Sequence, residues 1–109
     1  MNFNPTTNLN FNAKTGIVKK VTRFRVPGKN GTTIVTDIVE IPSRMTRDIT
    51  KVSYREMRKG KVLEEKTFQN KKGFPDERLG AICDKIQEKV REGFNFLDEL
   101  IKAQLKGGN

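Results

Sequence analysis

Positively charged side chains recur at alternate positions in two segments of this 109-residue chain. Arg23 and Arg25 alternate with apolar residues in the first segment, and Lys51 and Arg55 do so in the second. Because alternate residues of an extended strand share one face, each segment predicts a row of cations pointing away from a core. Such cations form ion pairs with the phosphates of a nucleic-acid backbone, and arginine adds two-pronged hydrogen bonds. The pattern therefore predicts a polyanion-binding face.

The charge of the whole chain agrees with this interpretation. Residues 1–75 hold sixteen Lys and Arg against six Asp and Glu, a net charge of +10, whereas residues 76–109 carry a net charge of −1. A one-sided basic field attracts polyanions and accelerates their capture. The leading hypothesis is a protein that binds single-stranded DNA or RNA through its backbone with little sequence preference. The residues predicted to contact nucleic acid are Lys19, Lys20, Arg23, Arg25, Lys29, Arg44, Arg47, Lys51, Arg55, Arg58, Lys59 and Lys61.

Two other functions fit parts of the same sequence. A basic face also suits an acidic protein partner, so the alternative is a small phage or viral interaction protein that acts as an inhibitor or an assembly component. Asp48, Glu64 and Lys66 have the loose spacing of a metal-dependent nuclease, in which two carboxylates hold a divalent cation and a lysine steadies the attacking water. The helix that usually precedes this pattern is missing, which makes a nuclease the weakest of the three.

Other catalytic chemistry has little support in the sequence. The chain has no histidine, which removes the commonest general base and metal ligand. Cys83 is the single cysteine, and its apolar neighbours predict a small core residue and not a nucleophile. No phosphate-binding loop or dinucleotide fingerprint occurs. We therefore expect a non-catalytic protein that needs no cofactor and no metal.

Four strands and one helix are predicted to position the cations. Alternating or β-branched residues predict strands at 15–27, 32–41, 49–57 and 62–68, joined as two hairpins by turns at 28–31 and 58–61. Residues 1–13 are rich in Asn and show no period, so they are expected to form a flexible arm, and residues 14–109 a single domain. The expected class is α+β, with a curved antiparallel sheet at 14–73 and one long helix at 75–106 packed on one face.

The predicted helix has consequences for assembly. Its apolar residues recur at spacings of three and four from Leu79 onward, after a start at Pro75. A helix of about 30 residues would run roughly 45 Å, which exceeds the width of four strands. It must therefore break near Gly93 or pack its far half on a second subunit. We expect a homodimer that forms through the apolar residues of this far half, namely Phe94, Leu97, Leu100, Ile101 and Leu105.

About a quarter of the chain resembles a known family. The segments 59–63 (KGKVL) and 72–77 (KGFPDE), which lead into a helix with Leu79 and Ile82, are similar to the second half of PC4-type single-stranded DNA-binding domains. The resemblance implies a curved antiparallel sheet that binds melted or single-stranded DNA, followed by a helix that forms the dimer. PUR-type repeats share the same strand order. The first hairpin and the short 67–72 segment depart from the PC4 pattern.

No secretory signal or membrane anchor is visible in the sequence. The first residues are polar, and no stretch approaches the roughly 20 apolar residues that span a bilayer. The expected location is the cytoplasm, or the host cytoplasm if the source is a phage or a virus.

Overall fold

The segments of alternating residues form an antiparallel sheet, and the apolar C-terminal segment forms helices on one side of it. The computed structural model describes residues 6–42 and 47–107. The strands are β1 (Thr6–Asn12), β2 (Ile17–Pro27), β3 (Thr33–Pro42), β4 (Arg47–Arg58) and β5 (Lys61–Gln69). The helices are α1 (Asp76–Gln87) and α2 (Phe96–Gly107), and a short 3-10 turn covers Lys29–Gly31. The predicted α+β class is confirmed.

The strands follow one another across the sheet in the order β1-β2-β3-β4-β5, and every neighbouring pair is antiparallel. The predicted turns are present. Lys59 and Gly60 have φ values of 49° and 80°, which is the left-handed pair that a two-residue hairpin requires. Asn30 has a φ of 58° in the turn between β2 and β3.

The prediction of four strands and a flexible arm is wrong at its N-terminal end. Residues 6–12 form β1, which pairs with β2 over its whole length, from Thr6 opposite Arg23 to Asn12 opposite Ile17. All seven residues of β1 are exposed. The strand is therefore held by its backbone pairing and not by side-chain burial, which explains why the polar composition gave no strand signal. Residues 1–5 lie outside the described residues.

The prediction of one long helix is also wrong, because the helix breaks between residues 88 and 95. Gly93 has a φ of 87°, a left-handed conformation that cannot continue an α-helix. The Gln87 side chain secures the break, since its Nε2 donates to the Phe94 carbonyl and its Oε1 accepts from the Phe96 amide, both at 2.7 Å. Asn95 then caps α2 by accepting a hydrogen bond from the Asp98 amide at 3.1 Å.

The core lies between one face of the sheet and the two helices. Phe24 of β2 stacks on Phe96 of α2 with ring centroids 5.6 Å apart. The core cluster comprises Phe24, Val26, Ile34, Ile38, Ile49, Val52, Tyr54, Phe68, Ile82, Cys83, Ile86, Val90, Phe96 and Leu100. Both helices therefore pack on the same side of the sheet. Of the helices within the described ranges, none has the length and apolar content needed to cross a membrane.

Candidate nucleic-acid interface

The sheet has a second face, which the helices leave uncovered. Its residues alternate along β2 to β5 with the core residues, and the strand registers align them in rows. We call this surface the helix-free face. Charged residues on it include Lys19, Arg23, Arg25, Asp37, Lys51, Arg55 and Glu65. Arg23, Arg25, Lys51 and Arg55 lie on it as the alternation predicts, and its cations outnumber its carboxylates.

One row of this face carries two arginines around a valine. Arg25, Val35 and Arg55 lie side by side on β2, β3 and β4. The arginines are two strand spacings apart, about 10 Å. Val35 is 7% exposed although it is not part of the core cluster, which is consistent with shielding by the aliphatic stems of its neighbours. Glu65 continues the row on β5 beside Arg55.

The next row holds an ion pair. Arg23 lies opposite Asp37 on β3, and its Nε and Nη2 donate to the two carboxylate oxygens at 2.6 and 3.0 Å. The hydrogen bond to Asp37, followed by the charge of that carboxylate, raises the pKa of the Arg23 guanidinium. Arg23 therefore stays charged, but Asp37 neutralises it locally. No local pattern indicated this ion pair, because strand register sets Asp37 opposite Arg23.

The remaining cations of the face lie further along the strands. Lys51 follows on β4, four residues from Arg55, which is about 13 Å of strand. Lys19 lies six residues from Arg25 on β2, about 20 Å away. A shallow depression of about 300 Å³ lies among Arg23, Lys51 and Arg55, with walls from four strands. The face thus offers cations along a surface long enough to follow several nucleotides.

Four further predicted cations gather at one end of the sheet. Lys29 belongs to the turn after β2, and Arg58, Lys59 and Lys61 belong to the β4–β5 hairpin. All four are exposed. The Arg58 Nη2 donates to the Asn30 carbonyl at 2.9 Å, which ties the two turns together. We call this group the hairpin end, and it adjoins the row of Arg25 and Arg55.

Lys20 was predicted to extend the basic track, and the structure contradicts this. Lys20 is 3% exposed and lies on the helix side, because it follows Lys19 and alternate residues face opposite ways. It is directly opposite Glu40, which is 2% exposed. The Lys20 Nζ, the Thr22 Oγ1 and the Glu40 Oε1 are buried without a hydrogen-bond partner. Lys20 is therefore not available to a polyanion.

Two other predicted contacts, Arg44 and the Arg47 side chain, lie outside the described residues, as does the Leu105 side chain. Of the residues predicted to form a dimer, Leu100 is 2% exposed and belongs to the chain's own core, against which Phe94 also packs. The apolar character of α2 is thus partly explained within one chain. Leu97 and Ile101 remain 46% and 45% exposed, so pairing of two copies through α2 stays a prediction that rests on these two residues.

The structure does not bring the predicted nuclease residues together. Asp48 lies at the start of β4, whereas Glu64 of β5 pairs with Glu56 near the end of β4. Asp48 and Glu56 are eight residues apart, which is roughly 26 Å along the strand. Glu64 is instead engaged by Lys89 at 2.5 Å and by the Tyr54 hydroxyl at 3.3 Å. The hydrogen bond from Lys89 lowers the pKa of the Glu64 carboxyl. Among the described residues there is no group of three potential metal ligands.

Aromatic side chains lie elsewhere in the described structure. Tyr54 and Phe68 are 3% and 7% exposed and belong to the core on the helix side, while Phe11 of β1 is exposed on that same side. No aromatic residue occurs on the helix-free face within residues 6–42 and 47–107. An aromatic platform for base stacking is therefore not present among the described residues of this face.

Comparison of the chain with protein-family models, with curated proteins and with solved structures finds no match. The resemblance to PC4-type or PUR-type domains is therefore neither supported nor contradicted by a relative.

Proposed function

We propose that this chain is a non-catalytic nucleic-acid-binding protein that holds a single-stranded backbone across the helix-free face and the hairpin end. The observation that carries the proposal is the strand register, which sets Arg25 and Arg55 around Val35 and next to the four exposed cations of the hairpin end. Paired strands of one sheet, β2 and β4 on either side of β3, set the relative positions of Arg25 and Arg55. Spaced cations of this kind neutralise successive phosphates.

The chemistry of the surface supports binding with little sequence preference. Phosphate contacts fix position but carry no sequence information, whereas base recognition needs groups that read base edges or stack on them. The guanidinium and ammonium groups of the helix-free face form charge-assisted hydrogen bonds with phosphates, and its described residues include no aromatic ring on which a base could stack. A flexible single strand can bring successive phosphates onto such a surface without paying to deform a duplex.

Salt dependence provides the first test. Four cations of the helix-free face, namely Lys19, Arg25, Lys51 and Arg55, form no ion pair among the described residues. If each neutralises one phosphate of a single strand, the slope of log K against log salt is about −3 from this face alone, with the hairpin end adding to it. We expect fluorescence anisotropy with a labelled oligo-dT to show this slope, and a salt-independent signal would reject the proposal.

A matched pair of variants locates the interface. Arg25→Gln with Arg55→Gln removes two cations from one row, and Lys71→Gln with Lys72→Gln removes two exposed cations from the turn after β5. The first variant should reduce the slope by about 1.4 units, and the second should leave it nearly unchanged. Equal effects of the two variants would mean that only net charge matters.

The same assay separates the alternative of an acidic protein partner. A nucleic-acid interface of this length should bind oligo-dT more tightly as the strand is lengthened over the first several nucleotides. Weak binding that is insensitive to length would favour the protein-partner function instead. Parallel titrations with single-stranded DNA, duplex DNA and RNA test the proposed preference for a single strand.

A further inference from the structure

Three cationic side chains surround one aromatic ring on the helix side of the sheet. The Lys66 Nζ, the Lys85 Nζ and the Arg78 Cζ lie 5.2, 5.5 and 5.7 Å from the centroid of the Phe68 ring. All three cationic residues are exposed, while Phe68 is buried, with 7% of its surface exposed. We call this group the Phe68 cation cluster. Of these three cations, the sequence pattern singles out only Lys66, as the lysine of the nuclease hypothesis.

Regular secondary structure sets the positions of these cations. Arg78 and Lys85 are seven residues apart on α1, which places them two turns apart on the same side of the helix, about 10 Å along its axis. The exposed Ala81 lies between them in the sequence of α1. Lys66 shares the strand face of Phe68 because it precedes it by two residues. The three charges thus converge from a helix and a strand.

No carboxylate among the described residues forms an ion pair with a member of the cluster. Lys66 is close enough to Glu64 for its charge to help lower the pKa of that carboxyl, but the ion-pair partner of Glu64 is Lys89. The ion pairs among the described residues join other cations to Asp37, Glu64 and Glu99, and none includes a member of the cluster. Asp84 directly precedes Lys85 on α1, but it lines a depression on another side of the helix, together with Gly80 and Leu97. The ring face attracts each cation, yet three like charges near one point repel one another. A bound anion would remove that repulsion.

We propose that the Phe68 cation cluster is a binding site for phosphate groups, separate from the helix-free face. One guanidinium with its paired donors and two ammonium groups match a ligand with several phosphate oxygens, such as pyrophosphate or the phosphates of a nucleotide or oligonucleotide. The ring itself is too buried to stack on a base. The site lies on the opposite side of the sheet from the proposed interface, so binding at the cluster does not depend on binding at the helix-free face.

Amide chemical-shift titration of the ¹⁵N-labelled protein at low salt provides the test, with inorganic pyrophosphate and an eight-nucleotide oligo-dT as separate probes. Saturable shifts should appear at residues 66–68 and 78–85. Shifts with pyrophosphate identify a site for free phosphate compounds, and shifts there with the oligonucleotide alone identify a second backbone contact. Unperturbed amides in this region with both probes would overturn the proposal.

Variants distinguish a site from diffuse charge. Arg78→Gln with Lys85→Gln should weaken binding of the active probe at these amides at least tenfold. Lys14→Gln with Lys102→Gln, which removes the same charge elsewhere, should change it less than twofold. Equal losses in the two variants would refute the site. Arg25→Gln with Arg55→Gln should leave pyrophosphate binding at the cluster unchanged, so failure of the helix-free face and failure of the cluster give different results.

Discussion

Removing the carboxylate of Asp37 should strengthen nucleic-acid binding, because Asp37 forms an ion pair with Arg23 of the proposed interface. The Arg23 guanidinium donates two hydrogen bonds to Asp37 in the middle of the helix-free face. Asp37→Asn removes the negative charge and releases Arg23 to contact phosphate. The side chains of the pair are 45% and 23% exposed, so loss of this ion pair should cost about 1 kcal/mol of stability or less. The variant should therefore remain folded.

The size of the gain follows from the number of phosphates neutralised. One additional contact with a single strand steepens the slope of log K against log salt by about 0.7. If the two proteins bind equally at 1 M salt, where the electrostatic contribution vanishes, that difference in slope corresponds to about fourfold tighter binding near 0.15 M salt. Fluorescence anisotropy with labelled oligo-dT at three or more salt concentrations measures the slope and the affinity together.

A second carboxylate variant controls for net charge. Glu92→Gln makes the same change of one unit, but at an exposed position in the connection between α1 and α2. At physiological salt, charges beyond about 8 Å are largely screened, so this variant should bind almost as the original protein does. If Asp37→Asn binds no better than Glu92→Gln, Arg23 does not contact the ligand. Weaker binding would mean that Asp37 orients Arg23 for its contact.

Four further outcomes test the fold and its assembly. Gly80→Ala should stabilise the protein by about 0.5–1 kcal/mol in urea unfolding, since Gly80 lies inside α1 and an added Cβ meets nothing within 4 Å. Gly73→Ala should destabilise it by at least about 1 kcal/mol, because Gly73 has a φ of 91° and its Cβ would lie 2.8 Å from a neighbouring aspartate. Burial raises the pKa of the Cys83 thiol from 9.0 to about 11. The free energy of unfolding should therefore be constant below pH 9 as far as this group is concerned, and should fall as the pH rises toward 11, because the thiol ionises more readily in the unfolded chain. Cys83→Ala should lessen this fall. Light scattering should give twice the 12.4 kDa chain mass, and Leu97→Ser with Ile101→Ser should return it to one chain; a single-chain mass for the original protein would end the dimer hypothesis.

Two features that the sequence analysis predicted wrongly, the single long helix and the basic role of Lys20, had local signals in the sequence that indicated otherwise. The helix break was marked by Gly93 and by Asn95 three residues before Asp98, a pattern typical of a helix N-terminus. The exclusion of Lys20 from the basic track followed from its position next to Lys19, since both cannot share one face of a strand. Strand β1 had no such signal, because its exposed polar side chains contribute nothing to the core and its backbone pairs with β2.

The sequence by itself determined which strand faces carry Arg23, Arg25, Lys51 and Arg55, and where the hairpins turn, because side-chain alternation and turn conformation are local properties of the backbone. Only the tertiary structure decided which residues meet across strands and between the sheet and α1. Register set Asp37 against Arg23, and packing of α1 on β5 brought Arg78 and Lys85 to the ring of Phe68. Such contacts join residues distant in sequence, and they depend on how whole elements pack, which no local pattern encodes.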